Sequence, residues 1–338
     1  MTLRALVVGV SLLFQAAAVE AQEARQTGRD VSQGATGAAG AFDQLSTAST
    51  IGDLLAHPAF ADHAHLLLPW DDRPADPSMP LSEIGSLLPY HSNVQPDLAV
   101  SSVNRMIDDV AAGQQVFYDF YTDGQKRTAP ARQNTGLFFY RGRPGAPFAI
   151  IAPGGGFSYV GSVHEGFPYA EALSSLGYNA FVLKYRVGQG GGVATEDLAF
   201  ALGYIFRNAK ALQISTEGYS LWGSSAGARM VASIGSHGVA RFGGDELPKP
   251  STVVMAYTSH QDHSANEPPT FAVVGQQDGI APAAAMEHRV SALRATGTIV
   301  EFKAFPGIGH GFGLGTGTSA EGWVADAVAF WQKFLRDD

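Results

Sequence analysis

The chain has 338 residues, of which 45% are hydrophobic and 16% charged, with no cysteine and a formal net charge of -9. That composition is globular and supplies ample material for a buried core, so stability rests on core size rather than on disulfides. The acidic balance leaves no electrostatic reason to bind nucleic acid or an anionic membrane surface, and without cysteine there is no lipid-modified cysteine anchor.

Met1 to Ala21 carries one basic residue, Arg4, then an apolar run from Ala5 to Val19, then the small-x-small sequence Val19-Glu20-Ala21. The run is short for a membrane span, which needs about 20 apolar residues, and reads as a cleaved secretory signal peptide. The expected location is therefore secreted or periplasmic. Residues 22–49 are polar, small and poor in aromatics, and read as a disordered leader. Residues 50–115 hold HPAF, LLLPW, clustered prolines and a helix expected over Val100–Ala111. They form an N-terminal arm or cap with no clear period.

From Val116 the pattern is regular. VFYDFY and GLFFYRG are aromatic, alternating and separated by a loop, as two paired antiparallel strands would be. PFAIIAP, NAFVLKY, GYSLW, TVVMAYT, TFAVVG and IVEFKAF follow as short strands. Between them lie helices expected over His164–Leu176, Glu196–Leu212, Ala226–Ser236, Ala283–Ala295 and Ala320–Leu335. Alternation of this kind predicts an α/β fold over 116–338, a mostly parallel sheet covered by helices on both faces. No internal repeat is present.

Gly223-Ser224-Ser225-Ala226-Gly227 is G-x-S-x-G placed between an expected strand and an expected helix. That sharp turn requires small residues two before and two after the serine, and it presents Ser225 at the tip. A serine needs a base and a group that orients the base. Asp278, in VVGQQDGIAP, and His310, in FPGIGHGFGLG, both follow strands and complete the order Ser, Asp, His. Asp262 in SHQDHS also follows a strand and is a second possible acid; Asp278 is preferred because its loop is the usual strand end in this architecture. His260 and His263 precede the acid loop and break the order. In Ala152-Pro153-Gly154-Gly155-Gly156-Phe157, three glycines allow close backbone approach to a substrate. Gly155, Gly156 and Ala226 are the expected backbone donors to an oxyanion. The segment GGGFSY lacks the Lys-Ser/Thr of a phosphate loop.

Together these segments resemble the α/β-hydrolase superfamily, and more narrowly bacterial esterases of the acetyl-esterase and acetylxylan-esterase type. PGGGFSYVGSVHEG, GYNAFVLKYRV, EDLAFALGYIFRNA, GSSAGARM, PPTFAVVGQQDGIAP and GHGFGLG carry the likeness, across about 146–331. The resemblance implies a nucleophile at Ser225, an acid at Asp278, a base at His310 and oxyanion glycines at Gly155 and Gly156. It also implies short acyl esters, such as acetyl esters of carbohydrates or small alcohols, as substrates, and no cofactor. Many relatives have Gly-His after the nucleophile's glycine, where this chain has Ala228-Arg229, one helical turn from Ser225. Residues 50–115 match no familiar relative.

Several other residues admit readings of their own. Phe157 and Tyr159 flank the glycine loop and are expected to touch substrate; Trp70 and Phe312 serve equally as core or pocket aromatics. Asp62-His63-Ala64-His65 and His260-Gln261-Asp262-His263 offer metal-ligand spacing without a third convergent ligand, so no metal is expected. Glu165 and Arg186 form a possible ion pair behind the glycine loop, and Asp197 complements a helix dipole. Two other functions remain alongside the esterase: a peptidase or amidase of the same fold, for which this chain has no room for an N-terminal propeller, and a non-catalytic binding protein.

Overall fold

The computed structural model describes residues 42–335. The expected signal peptide, and the leader up to residue 41, lie outside the described residues. In chain order the helices are α1 (Ile51–Leu55), α2 (Pro96–Ala111), α3 (Asp123–Thr128), α4 (Phe167–Ser175), α5 (Gly190–Leu212), α6 (Ala226–His237), α7 (Ala283–Ala295) and α8 (Trp323–Gln332). The strands are β1 (Phe117–Tyr118), β2 (Gly136–Tyr140), β3 (Pro147–Ala152), β4 (Asn179–Lys184), β5 (Ser215–Ser224), β6 (Thr252–Ala256), β7 (Thr270–Gly275) and β8 (Val300–Phe305).

All eight strands form one sheet in the order β1-β2-β4-β3-β5-β6-β7-β8. β1 pairs antiparallel with β2 (Phe117 opposite Phe138), and β2 pairs antiparallel with β4. Every later pairing is parallel. This is the α/β-hydrolase fold. Every residue of β2, β4, β6 and β7 is buried, which requires cover on both faces, whereas β8 is partly exposed throughout, as an edge strand is. The strand order reverses at β3: the chain steps outward to β4, then crosses back to β5 on β3's other side. A crevice opens at such a reversal, outside the carboxyl ends of the strands. Here it lies between the loops after β3 and β5.

Residues 42–115 belong to the same compact unit as the sheet. Residues 42–49, expected to belong to a disordered leader, are therefore packed in this unit. Leu45 is buried, its amide donates to Asn104 Oδ1 (2.9 Å) and its carbonyl accepts from Asn104 Nδ2 (2.8 Å) on α2. α2 packs on α4, and α4 on α8. Lys184, fully buried at the end of β4, donates to the Leu68 and Pro69 carbonyls and pairs with Asp71 Oδ1 at 2.9 Å, clamping the arm to the sheet. Burial lowers the Lys184 pKa against the pull of Asp71. The arm is thus an integral layer rather than a detached cap.

Candidate active site

β5 ends at Ser224 and α6 begins at Ala226, so the chain turns at Ser225 alone, with φ 51° and ψ -112°. The turn is tight enough to exclude side chains around it. A Cβ on Gly223 would stand 2.5 Å from the Gly227 carbonyl, and one on Gly227 would stand 1.8 Å from the Ala152 oxygen. The Ser225 amide donates to the Ala256 carbonyl at 2.8 Å, tying the turn to the end of β6. Positive φ in a non-glycine residue is strained and persists only where surrounding structure enforces it. Five described non-glycine residues have it, and three of them, Phe157 (60°), Ser225 (51°) and Tyr257 (40°), line one cleft. The strain marks the same place as the motif.

Within that cleft Ser225 Oγ lies 2.9 Å from His310 Nε2, and His310 Nδ1 lies 2.7 Å from Asp278 Oδ2. The carboxylate accepts, so the proton is on Nδ1, and Nε2 is left to accept from the serine hydroxyl. The other carboxylate oxygen, Asp278 Oδ1, accepts the amides of Ile280 (2.8 Å) and Ala281 (2.7 Å), which orients Asp278 toward the imidazole. Both Asp278 and His310 are buried. The His310 loop is fastened from the arm: Ser92 Oγ donates to the His310 carbonyl at 2.6 Å and the Ser92 amide donates to the Gly311 carbonyl. Asp262 is elsewhere, exposed and 2.7 Å from His237 Nε2, whose hydrogen bond lowers its pKa.

The loop after β3 takes positive φ at Gly155 (133°), Gly156 (62°) and Phe157. A Cβ on Gly155 would lie 2.1 Å from the Tyr159 carbonyl oxygen, so only glycine fits. The Gly155 carbonyl caps the loop by accepting the amides of Ser158 and Tyr159. Among the described residues, the amides of Gly155, Gly156 and Ala226 have no acceptor. The Gly154 amide does: it donates to Glu165 Oε2 at 2.6 Å.

Glu165 is fully buried in a π-helical turn, Ser162–Gly166, that leads into α4. Its Oε2 also receives His91 Nε2 at 3.1 Å, and its Oε1 accepts the Tyr257 hydroxyl at 2.6 Å. Tyr169 and Ser224 extend the chain, with Tyr169 Oη 3.1 Å from Tyr257 Oη and Ser224 Oγ 3.4 Å from Tyr169 Oη. Burial pushes the Glu165 carboxyl up, but the charge and hydrogen bond of His91, with His164 and the Tyr257 hydroxyl, outweigh it and hold it at about 2. The network links arm, glycine loop and the wall beside His310, whose ring meets that of Tyr257 edge-on at 5.0 Å.

Three expectations need correction here. Glu165 does not pair with Arg186; the arm supplies His91 instead. Arg186 pairs with Asp197, with Nη2 2.6 Å and Nε 2.9 Å from Oδ1, and Asp197 also accepts the Arg186 amide and the Tyr121 hydroxyl. Asp197 is therefore a buried ion-pair partner rather than a dipole complement, because α5 starts at Gly190 and Asp197 lies beyond its first turn. Tyr159 is fully buried, not on the substrate side: its hydroxyl accepts the Tyr90 amide and sits 2.9 Å from His91 Nδ1.

The cleft has a volume of about 480 Å³ and is lined by Ser225, His310, Gly156, Phe157, Ala226, Arg229, Tyr257, His260 and Ile280, among others. Ile280 is 57% exposed and Tyr90, beside Gly156, is 42% exposed, so apolar groups stand at the mouth together with the exposed Arg229, Ser259 and Gln261. Trp70 and Phe312 lie outside it. Trp70 Nε1 donates to the Leu87 carbonyl, and Phe312 is buried against Tyr257. No group of three or more His, Asp or Glu among the described residues could hold a metal. His63 instead stacks on Phe117 with centroids 4.5 Å apart, and burial holds its pKa at about 4.

Residues 244–338 match the prolyl oligopeptidase family, Peptidase_S9, a stretch that includes Asp278 and His310. No curated protein sequence matches significantly. Among solved structures, MGS-M1, an alpha/beta hydrolase enzyme from a Medee basin deep-sea metagenome library, is 24% identical with TM-score 0.51, over 60% of this chain and 93% of that one. Est2, an esterase of Thermogutta terrifontis with propionate bound, is 18% identical with TM-score 0.51, over 60% and 92%. An acetyl ester-xyloside bifunctional hydrolase of Caldicellulosiruptor lactoaceticus is 22% identical with TM-score 0.53, over 60% and 89%.

Proposed function

We propose that the chain is a serine carboxylic ester hydrolase acting through an acyl-enzyme on short-chain esters, acetyl esters of carbohydrates or small alcohols foremost. The observation that carries this reading is the continuous contact from Ser225 Oγ through His310 to Asp278, at 2.9 and 2.7 Å, beside three amides without acceptors. His310 Nε2 takes the Ser225 proton as Oγ attacks the ester carbonyl, and Asp278 stabilises the imidazolium that forms. The amides of Gly155, Gly156 and Ala226 receive the oxyanion, each contributing about 3 kcal/mol to transition-state stabilisation. The tetrahedral intermediate collapses as His310 protonates the departing alcohol. His310 then activates water, which releases the acid and restores Ser225. The apolar groups of Phe157, Tyr257 and Ile280 in the cleft wall suit a short acyl or alkyl group, and two solved structures of this fold carry esterase or acetyl ester in their names.

The test is hydrolysis of p-nitrophenyl acetate to octanoate by wild type and Ser225→Ala. Wild type is expected to turn over the short esters with a burst, and the variant to lose kcat by about a million-fold. Equal activity in both proteins would remove Ser225 from the mechanism.

The match of residues 244–338 to the prolyl oligopeptidase family favours a second reading, cleavage of an amide or peptide bond by the same residues. Acyl p-nitroanilides matched to the esters separate the two readings. We also propose export of the chain with removal of residues 1–21. Secreted protein whose first residue is Gln22 is the expected product, and a retained Met1 would refute this.

A further inference from the structure

Arg229 is the one formally charged side chain, histidines aside, among those lining the cleft, and the lining contains no Asp or Glu. Its amide donates to the Ser225 carbonyl at 3.2 Å, so it stands one helical turn beyond the nucleophile. Residues four apart share a helix face, with a rise of about 6 Å along the axis. The side chain is exposed and its guanidinium lies 6.0 Å from the Phe157 ring centroid. Arg229 reaches no carboxylate among the described residues, and of the described arginines without one, such as Arg127, Arg143 and Arg241, it alone lines the cleft. An unpaired cation beside the nucleophile, in a protein of net charge -9, does not follow from overall composition.

His260 shares the lining, and its Nε2 is buried without a hydrogen-bond partner. Burial first, then the charges of Arg289 and Arg229, hold its pKa at about 4, so near neutral pH it is an uncharged ring with one N–H to offer. A guanidinium presents paired donors in a plane that match both oxygens of a carboxylate, and the neutral His260 ring beside it adds no competing charge.

We propose that Arg229, with His260 beside it, is a specificity site for a carboxylate carried by the substrate, so that the preferred esters are acidic ones. This inference rests on the esterase reading. The carboxylate belongs either to the acyl group, as in a hemiester of a short dicarboxylic acid, or to the alcohol, as in an O-acetylated hydroxy acid.

The experiment measures kcat/KM for two matched pairs. 4-Nitrophenyl hemiglutarate against 4-nitrophenyl butyrate tests the acyl side, and O-acetylglycolate against O-acetylglycolamide tests the alcohol side. In wild type the acidic-to-neutral ratio of one pair is expected to exceed that in Arg229→Gln by about tenfold and to fall with added salt; Arg229→Lys should keep part of the preference. The pair that responds identifies the side. Because each ratio is taken on one preparation, a partly unfolded variant does not distort it. Should Arg229→Gln fail to fold, the Arg229→Lys ratio and the salt dependence of the wild-type ratio decide. Turnover of the neutral esters with ratios equal in wild type and variant, and insensitive to salt, overturns this inference and leaves the esterase standing. If wild type hydrolyses no member of either pair, the esterase reading falls and the carboxylate site with it.

Discussion

The Gly154 amide and the Glu165 carboxylate, 2.6 Å apart, join the glycine loop to a buried charge that two other elements also hold. Glu165 accepts three buried donors: Gly154 N–H, His91 Nε2–H and the Tyr257 hydroxyl. Leucine at this position would leave Gly154 and His91 without an acceptor, at about 1–3 kcal/mol each, and leave the Tyr257 hydroxyl only Tyr169 to bond. The expected loss, on the order of 5 kcal/mol, is a large part of a typical domain's stability. Glutamine with its oxygen at the Oε2 position keeps an acceptor for Gly154 and His91 and turns its NH2 only toward the Tyr257 hydroxyl, which can accept it, so its cost is smaller. Urea unfolding of Glu165→Leu and Glu165→Gln tests this order; a Leu variant with the wild-type midpoint would show that the carboxylate anchors nothing.

The two candidate acids are separated by a matched pair of variants. Asp278→Asn loses the acceptor that sets the His310 tautomer, and kcat for p-nitrophenyl acetate is expected to fall by about 10⁴-fold. Asp262→Asn removes only an exposed contact to His237, so activity should stay within a few-fold of wild type. A large loss at Asp262 with little at Asp278 would reverse the assignment.

Acid should weaken the fold in a defined window. Burial first, then the positive charge of His91, lowers His164 from 6.5 to about 4. Between those values the unfolded chain binds a proton that the folded chain does not, so stability is full above pH 6.5 and declines as pH falls toward 4. For His164 alone the gap corresponds to about 3 kcal/mol. His63 and His260, also near 4, add to the same slope. Glu165, depressed from 4.5 to about 2, adds a further decline below the histidine window. Urea midpoints should stay level from pH 7.5 to about 6.5 and fall steadily from there to 4.5, and His164→Gln should flatten the curve. A wild-type midpoint independent of pH in this range contradicts the account.

Glycines divide into those the site requires and those it does not. Gly227→Ala would put Cβ 1.8 Å from the Ala152 oxygen and should abolish folding or displace the Ser225 turn. Gly192, inside α5 with open space around its Cβ position, is the contrast: Gly192→Ala should stabilise by about 0.5–1 kcal/mol. Differential scanning calorimetry of the two variants gives the sign directly.

The sheet and the Ser225, Asp278 and His310 cluster were legible because their signals are local. Apolar runs mark buried strands, and turn chemistry marks the loops at their ends. The misreadings have physical causes too. Gly190, Gly191 and Gly192 concealed the first turns of α5, which moved Asp197 away from a helix start. His91 and Ser92 carry no motif, and their importance arises only when the chain folds back on itself. Tyr257, directly after a strand neighbouring the one that leads to Ser225, could have been singled out from that position, but strand order is not written in a single run of residues.

The hydroxyl of Ser92 holds the His310 carbonyl across 218 positions of sequence. The boundary drawn at residue 116 from sequence pattern therefore passes through the candidate active site. A fragment starting there would contain Ser225, Asp278 and His310 yet lack Ser92, which holds the His310 loop, and His91, one of the three donors to Glu165. Completing the site therefore requires a contact between residues 218 positions apart, which makes hydrolytic activity a readout of the arm's closure onto the sheet.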